Sequence, residues 1–159
     1  METLRVVFTK RKRNLISWLI RYAIPISRFQ ISKCSHCMIV DGKYAIEATM
    51  LHGVRRVLFE EALEGQTVTD IVDFEVEDAE AGLKWAREQV GGKYDFTGAF
   101  GLLLPPWREW DEESDWFCFE LATATLKQAG REVFRKKGHI TGTMLLAITP
   151  WFNKGRSNA

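Results

Sequence analysis

The sequence predicts an α+β domain in which an antiparallel sheet packs against helices, and three observations carry that prediction. A chain of 159 residues, 46% of them apolar, can bury most of its apolar surface in one core. An Asp41-Gly42 turn joins two short apolar runs, Cys37 to Val40 and Tyr44 to Ala48, as a β-hairpin. Asp78 stands before the amphipathic run "AEAGLKWAREQV", which Gly91-Gly92 closes, the pattern of a capped helix. No repeat, linker or low-complexity segment divides the chain, so residues 1–150 read as one domain and residues 151–159 as a polar tail.

Taken in order, Leu4 to Thr9 reads as a strand. Asn14 to Ala23 reads as a helix that Pro25 ends, with Leu15, Trp18, Leu19 and Tyr22 on one face. After the hairpin, Arg55 to Phe59 reads as a further strand and "EEALEG" as a helical turn, and "VTDIVDFEV" alternates as another strand. The helix after Asp78 presents Ala79, Leu83, Ala86 and Val90 together and reads as scaffold. An irregular segment, "GKYDFTGAFGLLLPPW", leads to the helix of "DWFCFELATATLKQAG", which Gly130 closes. Glu132 to Phe134 is expected to be a last strand, and "TGTMLLAI" a terminal helical turn.

Charge and cysteine usage narrow the function classes. The formal net charge is +1, so the whole-molecule field favours neither nucleic acid nor acidic substrates. The run Lys10 to Arg13 lacks interleaved aromatics or a reading motif, so no nucleic-acid partner is expected. "GGKYDFTGAFG" lacks the spacing of a phosphate-binding loop, and no cofactor is implied. That basic run with the apolar stretch after it superficially resembles a signal peptide. Arg21 interrupts it and it is too short to span a bilayer, so a cytoplasmic protein is the default expectation, with membrane-surface contact not required. Three cysteines, an odd number at low density, make free thiols the expectation.

Cys118 is the thiol best placed for chemistry. Ser114 or Asp115 can cap its helix, which sets the sulfur in the first turn, where unpaired backbone N–H groups and the helix dipole favour a thiolate. Asp111, Glu112, Glu113 and Asp115 would act the other way if they lay close. Cys118, Leu121, Ala122, Thr125 and Ala129 share a face directed inward, as a buried packing cysteine also would.

A nucleophilic thiol needs an imidazole, and a third polar group to orient it. Of the three histidines, His52 and His139 stand beside glycines in expected loops, whereas His36 opens the strand "HCMIV". Alternation puts His36, Met38 and Val40 on one face and Cys37 and Ile39 on the other, so His36 is expected to look across at the Cys118 helix. The hairpin lays "YAIEA" antiparallel to "HCMIV" and brings Glu47 near the level of His36, where a carboxylate can accept an imidazole N–H. Cys118, His36 and Glu47 thus form a candidate catalytic set.

In this order, "SHCMIV", "AIEA" with "HGV", "GGKYDF" and "WFCFELATATLKQAG" resemble the marks of the circularly permuted NlpC-like papain-fold cysteine hydrolases. That group includes bacterial and phage permuted amidases and the lecithin:retinol acyltransferase-like enzymes. The resemblance runs from about Leu4 to Ile148. It implies a permuted papain-like fold with the histidine strand before the cysteine helix, Cys118 as nucleophile, His36 as general base and Glu47 as the orienting residue. It also implies Tyr94 near the pocket, with Phe119 and Trp116 beside the nucleophile as substrate-binding residues. Phe119 stands where members commonly carry a small polar residue, and Cys37 where they carry an aliphatic one.

The implied chemistry is acyl transfer through a Cys118 acyl-enzyme, on an amide, ester or thioester. The Cys118 backbone N–H is the expected oxyanion donor. A peptide-like or peptidoglycan-type amide heads the substrate classes, and an acyl lipid would suit the apolar segments "LLLPPW" and "ISWLIRY". Two rival readings come from other classes. One is a noncatalytic binding module on the same fold; the other is a metal or redox protein built on Cys34 and Cys37, a C-x-x-C pattern without the rest of a ligand set.

Overall fold

The computed structural model describes residues 2–11, 34–94, 115–116, 118–133 and 145. Five antiparallel strands form the main sheet: β1 (Glu2–Arg11), β2 (His36–Asp41), β3 (Tyr44–Thr49), β4 (Gly53–Leu58) and β5 (Gln66–Val76), in the order β4-β3-β2-β1-β5. Among the described residues three helices accompany it: α1 (Phe59–Ala62), α2 (Ala79–Glu88) and α3 (Cys118–Gln128). A short parallel pair, β6 (Lys93–Tyr94) and β7 (Asp115–Trp116), stands apart from the sheet. The α+β class with an antiparallel sheet is therefore as the sequence predicts.

β1 is hydrogen-bonded on both sides, and both of its faces are buried from Val6 to Phe8. Leu4, Val6 and Phe8 join the larger core with Cys37, Ile39, Ile46, Phe74 and the inner face of α3. Val7 points the other way, into a smaller cluster with Met38, Ala45 and Ala62 of α1. The register between β1 and β5 shifts after Phe8, which pairs with Asp70, so that Thr9 pairs with Val68 and Thr69 is the extra residue. Its hydroxyl donates to the Phe8 carbonyl at 3.2 Å and satisfies the backbone where the ladder breaks.

The hairpin differs from the expectation by one residue. Asp41 is the last residue of β2 and pairs with Tyr44, so the turn is Gly42-Lys43, with Gly42 at φ +60°. Asp41 stays in the ladder because its buried carboxylate accepts from Arg56 and Arg87, each at 2.6 Å. These guanidiniums hold its carboxyl below the usual value, the Arg87 hydrogen bond contributing most.

α2 starts as read from the sequence, with Asp78 accepting from the Ala81 N–H at 2.8 Å. It stops at Glu88, and Gly91 turns the chain at φ +93°. Val90 consequently lies beyond the helix and is exposed, whereas Ala79, Leu83 and Ala86 pack on the core. Gly82 is the point of closest approach between α2 and α3, since a Cβ there would lie 2.8 Å from Ala129 Cβ and 2.9 Å from the Thr125 carbonyl oxygen. α3 ends in a Schellman turn: Arg131 N–H donates to Leu126 O, Gly130 N–H donates to Lys127 O, and Gly130 adopts φ +86°.

That turn also explains a failed expectation. Arg131 to Val133 form no strand, because the chain leaves the helix through the turn and Arg131 donates to the Glu75 carbonyl of β5. The expected helix at Asn14 to Ala23 lies outside the described residues, as does the terminal "TGTMLLAI" turn except for Leu145, which is buried in the core. Among the described residues no helix is long and apolar enough to cross a membrane.

Candidate active site

The head of α3 meets the start of β2. Cys118 is the first helical residue, 3% exposed, on a helix whose Leu121, Ala122 and Leu126 lock it into the core. Thr123 and Thr125, also buried, return their hydroxyls to the Phe119 and Leu121 carbonyls at 2.7 Å, so both are satisfied within the helix.

Glu47 is fully buried on β3, an unusual place for a carboxylate, and both of its oxygens are engaged. Oε2 lies 2.6 Å from His36 Nε2. Oε1 accepts from Arg55 Nε at 2.9 Å and Nη2 at 2.7 Å. Register accounts for both contacts. Arg55 is the direct cross-strand partner of Glu47, and the Ile39↔Ile46 pairing sets His36 diagonally from Glu47, within reach of an imidazole and a glutamate side chain.

With Nε2 committed to Glu47, Nδ1 is the ring nitrogen left to face Cys118, whose interaction with His36 raises the imidazole pKa. The alternation argument had assigned the faces the wrong way round. Cys37 and Ile39 point into the core beneath α3, while Met38 belongs to the opposite cluster. Cys37 therefore sits directly against the helix head, its Sγ donating to the Cys118 carbonyl oxygen at 3.2 Å. His36 approaches the same helix head from the first residue of the strand, where it pairs with Thr9 of β1 and its side chain is 17% exposed.

The electrostatics separate the groups into distinct protonation states. Burial alone pushes the Cys118 thiol up, but hydrogen bonds with Cys37 and His36 and the positive charge of His36 outweigh it and lower the pKa from 9.0 to about 5. Burial draws the His36 imidazole down, yet hydrogen bonds to Cys118 and Glu47 and their negative charges raise it from 6.5 to about 10. For Glu47, burial is again opposed, and His36 and Arg55 hold the carboxyl below its ordinary 4.5. Cys37 goes the other way: burial, then its hydrogen bond with Cys118 and the negative charges of Cys118, Cys34 and Glu47, raise its thiol well above 9.0. The shifts thus favour the thiolate at Cys118, the imidazolium at His36 and the carboxylate at Glu47, and the neutral thiol at Cys37.

The other expected site residues fall differently. Phe119 is buried in the core, 1% exposed, and in this conformation contributes packing. Tyr94 and Trp116 are paired through their backbones in the β6–β7 ladder, which places Tyr94 beside the chain two residues before Cys118; their side chains lie outside the described residues. So do Ser114, the acidic run before it and His139. His52 is exposed in the turn between β3 and β4. All three cysteines are buried and outside any disulfide, and among the described residues no cluster of His, Cys, Asp and Glu is arranged to hold a metal ion. Arg55 escaped the sequence reading, although a carboxylate in the apolar run "YAIEA" signals a need for a cation opposite it. No protein-family model, no curated protein and no solved structure matches this chain.

Proposed function

We propose that this chain is a cysteine-dependent hydrolase or acyltransferase that works through a Cys118 acyl-enzyme on a permuted papain-like fold. The single observation that carries the reading is His36 held at 2.6 Å by the buried Glu47 carboxylate at the head of the Cys118 helix, where the imidazole draws the Cys118 pKa down. A packing cysteine needs no imidazole, and a structural histidine needs no wholly buried carboxylate held in turn by an arginine.

In the mechanism, the Cys118 thiolate attacks the carbonyl carbon of an amide, ester or thioester, forming the C–S bond while the carbonyl electrons move to oxygen. Collapse of the tetrahedral intermediate expels the leaving group, which takes its proton from the His36 imidazolium. Neutral His36 then removes a proton from water or another acceptor as that acceptor attacks the acyl-enzyme, and Cys118 leaves as thiolate. Glu47 keeps the imidazole oriented and stabilises its charged form throughout. A peptide-like amide is the substrate class we favour, on the resemblance to the permuted amidases.

The test is mass spectrometry of the intact protein after mixing with a small activated acyl ester. The expected result is a covalent acyl adduct on Cys118 that decays with time, is absent in Cys118→Ala, and accumulates in His36→Ala only slowly. Absence of any Cys118 adduct across a panel of activated esters and thioesters would remove the reading.

A further inference from the structure

Glu47 is the most tightly enclosed ionised group in the site, and His36 satisfies just one of its oxygens. The second oxygen receives two donors from one guanidinium, Arg55 Nε at 2.9 Å and Nη2 at 2.7 Å. Arg55 sits at the cross-strand position of β4, 27% exposed, so its fork approaches Glu47 along the sheet and leaves Oε2 clear for the imidazole. On its outer side Arg55 Nη1 lies 3.6 Å from Glu61 of α1, a carboxylate that is half exposed.

We propose that Arg55 is a positioning residue of this site: by clamping Oε1 of Glu47 it fixes the carboxylate that orients His36, and so sets the charge state of Cys118. The inference deepens the acyl-enzyme reading and rests on it. A buried carboxylate that accepted one bond from a titratable imidazole would share or take up its proton. The arginine cannot lose its charge in the working range, so it keeps Glu47 ionised whichever state His36 is in. The fork also fixes the carboxylate plane, which a lysine, with a single pivoting ammonium, would not.

The groups that face Glu47 are His36 from β2 and Arg55 from β4, with Cys37 and Cys118 at the helix head and Glu61 of α1 behind Arg55. Loss of Arg55 withdraws a positive charge from this line and loosens the imidazole. Both changes make the Cys118 thiolate harder to form.

The experiment measures the pH dependence of iodoacetamide labelling at Cys118 by peptide mapping, in wild type, Arg55→Gln, Arg55→Lys, Glu47→Gln and the Arg55→Gln/Glu47→Gln double variant, each checked for cooperative unfolding. We expect the labelling midpoint to rise by about one pH unit in Arg55→Gln, by less in Arg55→Lys, and not further when Arg55→Gln is added to Glu47→Gln. A midpoint in Arg55→Gln that superimposes on wild type overturns the proposal. So does an equal rise with and without Glu47→Gln, which would make Arg55 a diffuse charge and not a clamp on Glu47. Should Arg55→Gln fail to fold, an Arg55→Lys profile identical to wild type overturns it. A wild-type Cys118 that titrates as an ordinary thiol removes the parent reading, whereas a responsive Cys118 with no acyl adduct removes the hydrolase reading and leaves the role of Arg55 standing.

Discussion

Cys37 donates its thiol hydrogen to the Cys118 carbonyl oxygen at 3.2 Å, so adjacent residues of β2 meet the head of α3 with opposite chemistry. His36 brings a positive charge and stabilises the sulfur as thiolate; Cys37 brings a neutral thiol that burial and the neighbouring negative charge keep protonated. Two buried sulfurs at the head of α3 are therefore shifted in opposite directions.

Selective labelling should follow. At pH 7 a small alkylating reagent is expected to modify Cys118 and spare Cys37, and the Cys118 rate should rise with pH through a midpoint near 5. In His36→Ala the midpoint should move toward the ordinary 9.0. Peptide mapping across the pH range checks both, and equal labelling of the two thiols at pH 7 contradicts the assignment.

Glu47 should govern acid stability. Its folded pKa lies below the ordinary 4.5, so the unfolded chain binds a proton more readily, and this stabilisation is present above pH 4.5 and lost as pH falls through the folded value. Glu47→Gln is expected to flatten the acid limb of a urea-midpoint profile. Glu47→Ala, which leaves His36 and Arg55 around an empty site, should cost about 3–5 kcal/mol at pH 7.

Gly82 reverses the usual rule for a helix interior. Alanine there would ordinarily gain about 1 kcal/mol, but its Cβ would lie 2.8 Å from Ala129 Cβ and 2.9 Å from the Thr125 backbone oxygen. Gly82→Ala should instead destabilise by about 1–3 kcal/mol by prising α2 from α3. Chemical denaturation gives the sign directly.

Gly53 is constrained twice, by φ +64° and by the Gly92 carbonyl oxygen, which a Cβ would meet at 2.2 Å. Gly53→Ala should lower stability by more than about 1 kcal/mol and break the hydrogen bond from Val54 N–H to Gly92 O, now 2.8 Å. Thermal unfolding reports the first effect. Faster amide exchange at Val54 reports the second.

The parts of this molecule that were legible in the sequence are those fixed by short-range chemistry. Asp78 and Gly130 mark helix ends because their local backbone needs allow few other residues. His36 and Glu47 could be paired because a two-residue turn fixes the register of everything along the hairpin. What escaped depended on the third dimension. Which face of β2 carries the helix is decided by the strands on either side, so alternation alone named the pairs of residues but not their direction. Arg55 was hidden because its role exists only once β4 lies against β3. The absent strand at Glu132 reflects the helix terminus before it, which redirects the chain before any strand propensity can act.

The extra residue at Thr69 has a consequence for the company this protein keeps. β5 is the last of the described strands in the sheet and the longest, an 11-residue ribbon carrying exposed Ile71 and half-exposed Val68. A flat ribbon of that kind is a template on which a second chain could add a strand. The bulge twists it out of register midway, and Asp73 beyond it is paired with Arg5 of β1 at 2.7 and 2.9 Å. The same irregularity that interrupts the ladder with β1 thus also bends the last of the described strands.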